Sequence, residues 1–218
     1  MDALLAHLLA YRSPGSFNFY AQSDDRFDMS GAAALRVNNL TRYLNEQRGA
    51  CLALIGEAAG YHGCRFTGIP FTCEAQLRQW GDQPYRTSSH RGDHDERSAR
   101  VVWQTLTTLV PRAIQTHSQI KGVILWNAFP WHPHQPRQPM SNRTPNAAER
   151  RAGCEALALF LEHIQPQHVL AVGRVAERAL AQLGVTATYA RHPSHGGQTA
   201  FGHALHSFWD DMGGGQAG

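Results

Sequence analysis

Short apolar runs that end abruptly are the feature that most constrains the fold of this sequence. The runs are CLALIG at 51–56, GVILWNA at 122–128, HVLAVG at 168–173 and, more weakly, TATYA at 186–190. Such continuous runs are typical of strands covered on both faces of a sheet. Helical spacing occurs around them, at 2–11, 32–47, 95–115, 145–164, 174–183 and 199–211. This alternation predicts an α/β fold, a three-layer αβα sandwich with a mostly four-stranded parallel sheet.

The length and composition of the chain favour one domain. With 218 residues, 42% of them hydrophobic, the chain can bury one sizeable core. We expect a single domain over 1–212 and a flexible tail, GGGQAG, at 213–218. No stretch approaches the ~18 apolar residues of a membrane span. The N-terminal MDALLAHLLAYR has no basic start or small-residue cleavage site. We therefore expect a cytoplasmic protein without a membrane partner, located at the nucleoid if the cell is prokaryotic.

The charge of the chain excludes no class of function, and its cysteines and histidines do not form a recognisable metal-binding pattern. A net charge of +3 permits nucleic-acid binding without indicating it. The four cysteines form no C-x-x-C pair, so free thiols are expected. His132 and His134 flank a proline but lack a third ligand at a recognisable spacing. The segment at 81–97 is polar and rich in turn formers, which favours a surface excursion.

The residues that end the apolar runs are candidate ligand contacts, because ligands of open α/β sheets bind beyond the carboxyl ends of the strands. They are Gly56 and Glu57, Asn127, Gly173 and Arg174, and His192. The Asn127 amide suits reading the edge of a base, or else caps a strand end. His192 can donate to a developing oxyanion, or is simply satisfied within its loop. GRVAE at 173–177 indicates a helix N-terminus, which favours anions or serves only close packing.

Four of these features occur in an order that resembles one family. They are GEAAG after the first strand, PF at 70–71, Asn at the end of the second strand and HPS after the fourth. In this order they resemble the uracil-DNA glycosylase superfamily over roughly residues 50–206. The GEAAG loop is most similar to the GEAPG loop of the thermophilic, iron–sulfur branch. The cysteines lack the close N-terminal pair of that branch, so we expect no cluster and no other cofactor.

The resemblance implies a DNA repair enzyme. It would flip uracil or a related deaminated base out of DNA and hydrolyse its glycosidic bond, which initiates base excision repair. The implied partner is DNA containing such a base, and the implied enzyme is monofunctional, metal-independent and monomeric. Two alternatives remain open: an inactive protein of the same fold that binds uracil or abasic DNA, and a nucleotide- or small-molecule-binding α/β protein unrelated to DNA.

The resemblance also implies roles for individual residues. The loop from Gly56 through Ala58 would hold the attacking water, Phe71 would stack on the base, Asn127 would read uracil and His192 would stabilise negative charge on it. Further DNA contacts are expected at Ser194, His195, Gly197 and Arg174. Glu57 is a base, a water positioner or a structural acceptor. Tyr61 partly replaces a pocket tyrosine whose position is Gly60 here, and Gln198 is a candidate wedge.

Overall fold

The computed structural model describes residues 1–81, 83–109, 120–194 and 196–211. Its helices are α1 (Asp2–Ala10), α2 (Ala32–Glu46), α3 (Cys64–Thr67), α4 (Glu74–Gln79), α5 (Arg97–Leu109), α6 (Ala147–Ile164), α7 (Arg174–Gln182) and α8 (Gln198–Asp211). Its strands are β1 (Ser16–Phe17), β2 (Leu52–Ala58), β3 (Val123–Phe129), β4 (His132–Pro133), β5 (His168–Val172) and β6 (Thr188–Ala190). The last residues of the predicted 95–115 helix and the predicted tail lie outside the described residues.

Four of the strands form one parallel sheet in the order β3-β2-β5-β6. β1 and β4 make a separate antiparallel pair. The central strand β2 lies between β3 and β5, so its carboxyl end is in the middle of the sheet edge. The predicted α/β fold with a four-stranded parallel sheet is confirmed.

Both faces of the sheet are covered, which explains the continuous apolar runs. Ala53 and Ile55 of β2 belong to a core with α1, α2, α6 and α7. Leu52 and Leu54 belong to a second core with α5 and α8. Because successive strand residues point to opposite faces, every position of β2 up to Gly56 must be small or apolar.

The loop predicted after the first strand differs from the structure in two ways. β2 continues through Glu57 and Ala58, because Gly56 and Ala58 pair in parallel register with Asn127 and Phe129. The strand therefore includes residues that were assigned to the loop. A short helix, α3, then interrupts the loop, and it ends at Gly68 with φ 73°.

The polar segment at 81–97 was predicted as a surface excursion, and this prediction is wrong for its central residues. Ser88 and Ser89 are buried. Both of their backbone N–H groups donate to the buried Glu74 carboxylate at 2.9 Å. The Ser88 hydroxyl accepts a hydrogen bond from Nε of buried Arg36 at 2.8 Å. The polar composition of the segment indicated exposure, but its central polar groups are buried because they hydrogen-bond with the buried side chains of Arg36 and Glu74.

None of the helices among the described residues has both the length and the apolar character needed to cross a membrane. The proposed single-domain boundary at 212 stays a prediction.

Candidate active site

A cavity of about 430 Å³ lies at the carboxyl end of the central strand. This volume is in the range of small-molecule sites. Six of the residues singled out in the sequence line it: Glu57, Ala58, Phe71, Asn127, His192 and Ser194. They come from β2, the loop after α3, β3 and the segment after β6, so the topology brings distant parts of the chain to one place.

Gly56 does not line this cavity but lies against two residues that do, Phe71 and Asn127. An ideal Cβ at Gly56 would lie 2.3 Å from Cζ of Phe71 and 3.0 Å from Oδ1 of Asn127. Any larger residue would therefore displace the ring or the amide. Asn127 is only 4% exposed, and its place directly across from Gly56 in the sheet register fixes its backbone. The glycine that ends the apolar run is thus required by close approach.

Phe71 has an unusual backbone conformation, and a hydrogen bond from a neighbouring helix stabilises it. Its φ is 52°, a left-handed value that is uncommon for a residue with a side chain. The indole Nε1–H of Trp103 in α5 donates to the Phe71 carbonyl at 3.0 Å. Such backbone outliers cluster at functional sites, where the surrounding structure holds them. Phe71 is 7% exposed and lines the cavity.

The hydrogen bonds of His192 fix its neutral tautomer. The backbone N–H of Ser194 donates to Nδ1 of His192 at 3.2 Å, and the Ser194 hydroxyl lies 2.8 Å from the same atom. Since a nitrogen that accepts from a backbone N–H cannot carry a proton, Nε2 carries it in the neutral ring. A neutral His192 can therefore act as a hydrogen-bond donor through Nε2.

Two glycines support the backbone of His192. An ideal Cβ at Gly197 would lie 2.0 Å from the His192 carbonyl oxygen. Gly173, with φ 95°, would place its Cβ 3.4 Å from Cβ of His192, and its N–H donates to Ala190 at 2.8 Å. Gly197 is buried, and contact within the protein accounts for the glycine there. Its predicted role in DNA binding stays a prediction.

Two predicted site residues, Tyr61 and Arg174, do not line the cavity, and a third is not among the residues that the structure describes. Tyr61 lines an adjoining cleft, where its backbone N–H donates to Asn142 Oδ1 at 3.2 Å. Arg174 is exposed, pairs with Glu177 at 2.7 Å and lies 3.9 Å above the Tyr189 ring. His195 lies outside the described residues.

Among the cavity residues to which the sequence analysis assigned no role is a carboxylate, Glu96. Glu96, directly before α5, lines both the cavity and the adjoining cleft. The space that Cβ atoms at Gly60 and Gly63 would occupy is filled by its carboxylate oxygens, at 2.0 and 1.9 Å. The pKa of Glu96 is raised to about 7, mainly by burial; a hydrogen bond from Ser98 lowers it, and the negative charge of nearby Asp95 adds to the rise. The paired glycines of GYHG were the only sequence signal, because they leave room for a distant group.

The comparisons with known proteins agree with this geometry. The family model described as the Uracil DNA glycosylase superfamily matches residues 45–212. The chain belongs to the uracil DNA glycosylase superfamily. A crystal structure of wild-type Pedobacter heparinus SMUG2 is similar in fold, with a TM-score of 0.58 and 15% identity over 97% of each chain. A comparison with curated proteins gives no match.

Superfamily membership supports a DNA glycosylase-type hydrolase in general terms. The cavity is at the carboxyl edge of the sheet, and the Asn and His of the expected motifs converge on it. The resemblance inferred from GEAAG, PF, Asn127 and HPS is therefore confirmed at the level of the superfamily.

The residues present do not fit an iron–sulfur cluster. Cys64 and Cys73 are buried, Cys51 is exposed and Cys154 is intermediate, and all four are free thiols. In the part of the chain that the structure describes, no three His, Cys, Asp or Glu side chains are grouped closely enough to hold a metal ion. Burial raises the pKa values of the Cys64 and Cys73 thiols, which disfavours the thiolate that a metal requires. The absence of any cofactor stays a prediction.

Proposed function

We propose that this protein hydrolytically removes uracil, or a related deaminated base, from DNA and so initiates base excision repair. The observation that carries the proposal is the convergence of the Asn127 amide, the His192 imidazole and the Phe71 ring on one cavity. An amide pairs with the polar edge of a base, an imidazole N–H donates to an oxyanion, and an aromatic ring stacks on a planar base.

Entry of the base requires that the nucleotide leave the duplex. Unstacking and unpairing cost a few kcal/mol, and enzymes that act on bases offset this by contacts in the pocket. Stacking on Phe71 would return about 1–3 kcal/mol. The ring already lies against Gly56, and the Phe71 backbone carbonyl accepts the Trp103 hydrogen bond, so little ordering is needed when the base arrives.

Electrostatic stabilisation of the departing base is the main catalytic effect. When the glycosidic bond breaks, negative charge develops on the uracil oxygens. The Nε2–H of neutral His192 is the donor for this charge, and Asn127 pairs with the edge of the same ring. Removing one such donor in a buried site costs roughly 100- to 1000-fold in rate.

Glu57 and the strand end around Gly56 are proposed to position the attacking water. Glu57 lines the cavity next to Ala58, and both belong to β2 rather than to a loop. A carboxylate on a strand is held more rigidly than one on a loop, which suits a positioning role. Ala58 supplies no polar group, so Glu57 is the carboxylate that β2 itself brings to the cavity.

The DNA backbone is proposed to run past the segment after β6. The predicted contacts Ser194, His195 and Gly197 follow His192 closely in the sequence, and Ser194 and His192 both line the cavity, so a phosphate held by Ser194 would place its nucleotide there. Arg174 lies at the N-terminus of α7, where backbone N–H groups and a guanidinium both favour phosphate. The protein is proposed to act as a monomer in the cytoplasm.

Base release from oligonucleotides tests the proposal. Matched strands that contain uracil, hypoxanthine, xanthine or thymine, single-stranded or opposite G or A, are incubated with the protein and cleaved with alkali. Uracil-dependent cleavage that falls at least 100-fold in Asn127→Ala is expected. Tight binding of uracil or abasic DNA without cleavage would contradict the enzyme and favour the binding-only alternative. Failure to bind any DNA would contradict both.

A further inference from the structure

The Glu96 carboxylate packs against the backbone of the segment that contains Gly60 and Gly63. Its two carboxylate oxygens occupy the positions of the missing Cβ atoms of Gly60 and Gly63, at 2.0 and 1.9 Å. Neither glycine has a positive φ. The Gly63 backbone, at φ −117° and ψ −107°, lies outside the regions that residues with side chains usually adopt, so conformation and space for the carboxylate both favour a glycine there. At Gly60, space for the carboxylate is the reason for the glycine.

The surroundings of Glu96 contain polar groups, and none of the ion pairs among the described residues involves its carboxylate. The hydroxyl of Ser98 donates to it, and Asp95 raises its pKa. Arg143, which also lines the cavity, is already paired with Glu149 at 2.6 Å. The other titratable groups that face Glu96 from the cavity, the cleft and α3 are Glu57, Tyr61, His62, Cys64, Cys73, Arg97 and His192.

We propose that Glu96 is the general base that activates the attacking water in the proposed glycosylase reaction. This inference rests on the proposed function. The Glu96 carboxylate accepts a proton from water while the water oxygen forms a bond to C1′ of the deoxyribose. The glycosidic C–N bond breaks, and its electron pair leaves with the base, where His192 and Asn127 stabilise the charge. The proton on Glu96 then passes to the released base anion or to solvent.

The acidity of Glu96 suits this role. A general base works best when its pKa is near the working pH, and burial raises the pKa of Glu96 to about 7. Glu96 lines both the cavity and the adjoining cleft, so it lies where the space for a base meets a second solvent-filled space that can supply water. Glu57 then orients the water, and Glu96 takes its proton.

The test is the pH dependence of single-turnover uracil release from a uracil-containing oligonucleotide. The wild-type rate should rise with pH through about 7 and then level off. Glu96→Gln should bind the same DNA with unchanged Kd, release uracil at least about 100-fold more slowly and lose the rise near pH 7. Glu57→Gln should keep that rise, because it leaves the proton acceptor in place.

Two further variants separate a chemical role from a structural one. Glu96→Ala leaves a gap between Gly60 and Gly63, and added formate should restore part of its rate in proportion to concentration. Asp95→Asn is the matched control on the neighbouring carboxylate. It should keep the pH-dependent rise but move it to lower pH, because a negative charge beside Glu96 is removed.

The outcomes distinguish the two proposals. Wild-type uracil release with an unchanged rate and pH profile in Glu96→Gln would overturn the role of Glu96 and leave the glycosylase function standing. A slow Glu96→Gln together with a Glu96→Ala that formate does not rescue would assign Glu96 a structural role and would also overturn the inference. A folded wild-type protein that releases no base would overturn the proposed function and this inference with it.

Discussion

Gly56 and Asn127 are register partners on adjacent parallel strands, and Asn127 Oδ1 lies 3.0 Å from the place where a Cβ of Gly56 would be. The Phe71 ring also approaches this point, at 2.3 Å. The missing methyl group thus lets the amide and the ring, which both belong to cavity-lining residues, come close together. The positions of Asn127, proposed to read the base, and Phe71, proposed to stack on it, therefore depend on the central strand of the sheet.

Gly56→Ala should therefore abolish activity while the protein remains folded. The added methyl group must push aside the Phe71 ring or the Asn127 amide, and a misplacement of about 1 Å costs on the order of 100-fold in rate. Single-turnover uracil release measures the effect. The matched control is Gly202→Ala in α8, where a Cβ would meet nothing within 4 Å. Equal activities of the two variants would contradict the account.

The hydrogen bond from Trp103 to Phe71 predicts a smaller, indirect effect. Trp103→Phe removes the donor to the Phe71 carbonyl, so the backbone at φ 52° loses one of its supports. We expect a loss of about 1 kcal/mol in the free energy of unfolding. Uracil release should slow, with the change mainly in KM because stacking of the base is weakened. Trp80→Phe, which alters the neighbouring indole instead, should leave KM unchanged.

The strands of the parallel sheet and the residues at their ends could be predicted because they depend on local pattern. Apolar runs that end in Gly56, Asn127 or Gly173 indicate parallel strands, and the carboxyl-end rule then brings Asn127 and His192 together. Glu96 could not be assigned in this way. Glu96 directly precedes α5 and is far from β2 in the sequence. Only the three-dimensional fold shows that its carboxylate lies against Gly60 and Gly63.

The buried network around Asp28 was also beyond the reach of sequence patterns. Asp28 pairs with Arg36 at 2.5 Å and with Arg65 at 2.9 Å, and all three side chains are essentially inaccessible. Polar residues at such spacings ordinarily indicate surface. Here they are buried because each charged group finds its partner in a different part of the chain.

Asp28→Ala should accordingly destabilise the fold strongly. It leaves two buried guanidinium groups without their carboxylate, and removal of one partner from a buried pair costs about 3–5 kcal/mol. Urea denaturation at pH 7 measures this. Asp93→Ala, which breaks the exposed pair with Arg91, should cost less than about 1 kcal/mol. A similar small cost for Asp28→Ala would show that the network is not structurally important.

The raised pKa of Glu96 predicts that the difference in stability between wild type and Glu96→Gln depends on pH. In the unfolded chain its pKa is near 4.3, and in the folded protein burial raises the pKa to about 7. Between these values the folded state holds the proton more tightly, so ionisation of Glu96 lowers the free energy of unfolding as pH rises. Glu96→Gln cannot ionise. Its Tm relative to wild type should therefore increase between pH 4 and pH 8, and a constant difference across this range would contradict the raised pKa.

Direct quantification of free uracil tests the central claim. Wild type, Asn127→Ala and His192→Ala, each shown to be folded by its melting curve, are incubated in excess over a uracil-containing strand, and released uracil and abasic sites are counted. We expect one uracil and one abasic site per strand for wild type, and rates at least about 100-fold lower for both variants. Release that is unaffected by either substitution, or absent from a folded wild-type protein that binds the strand, would contradict it.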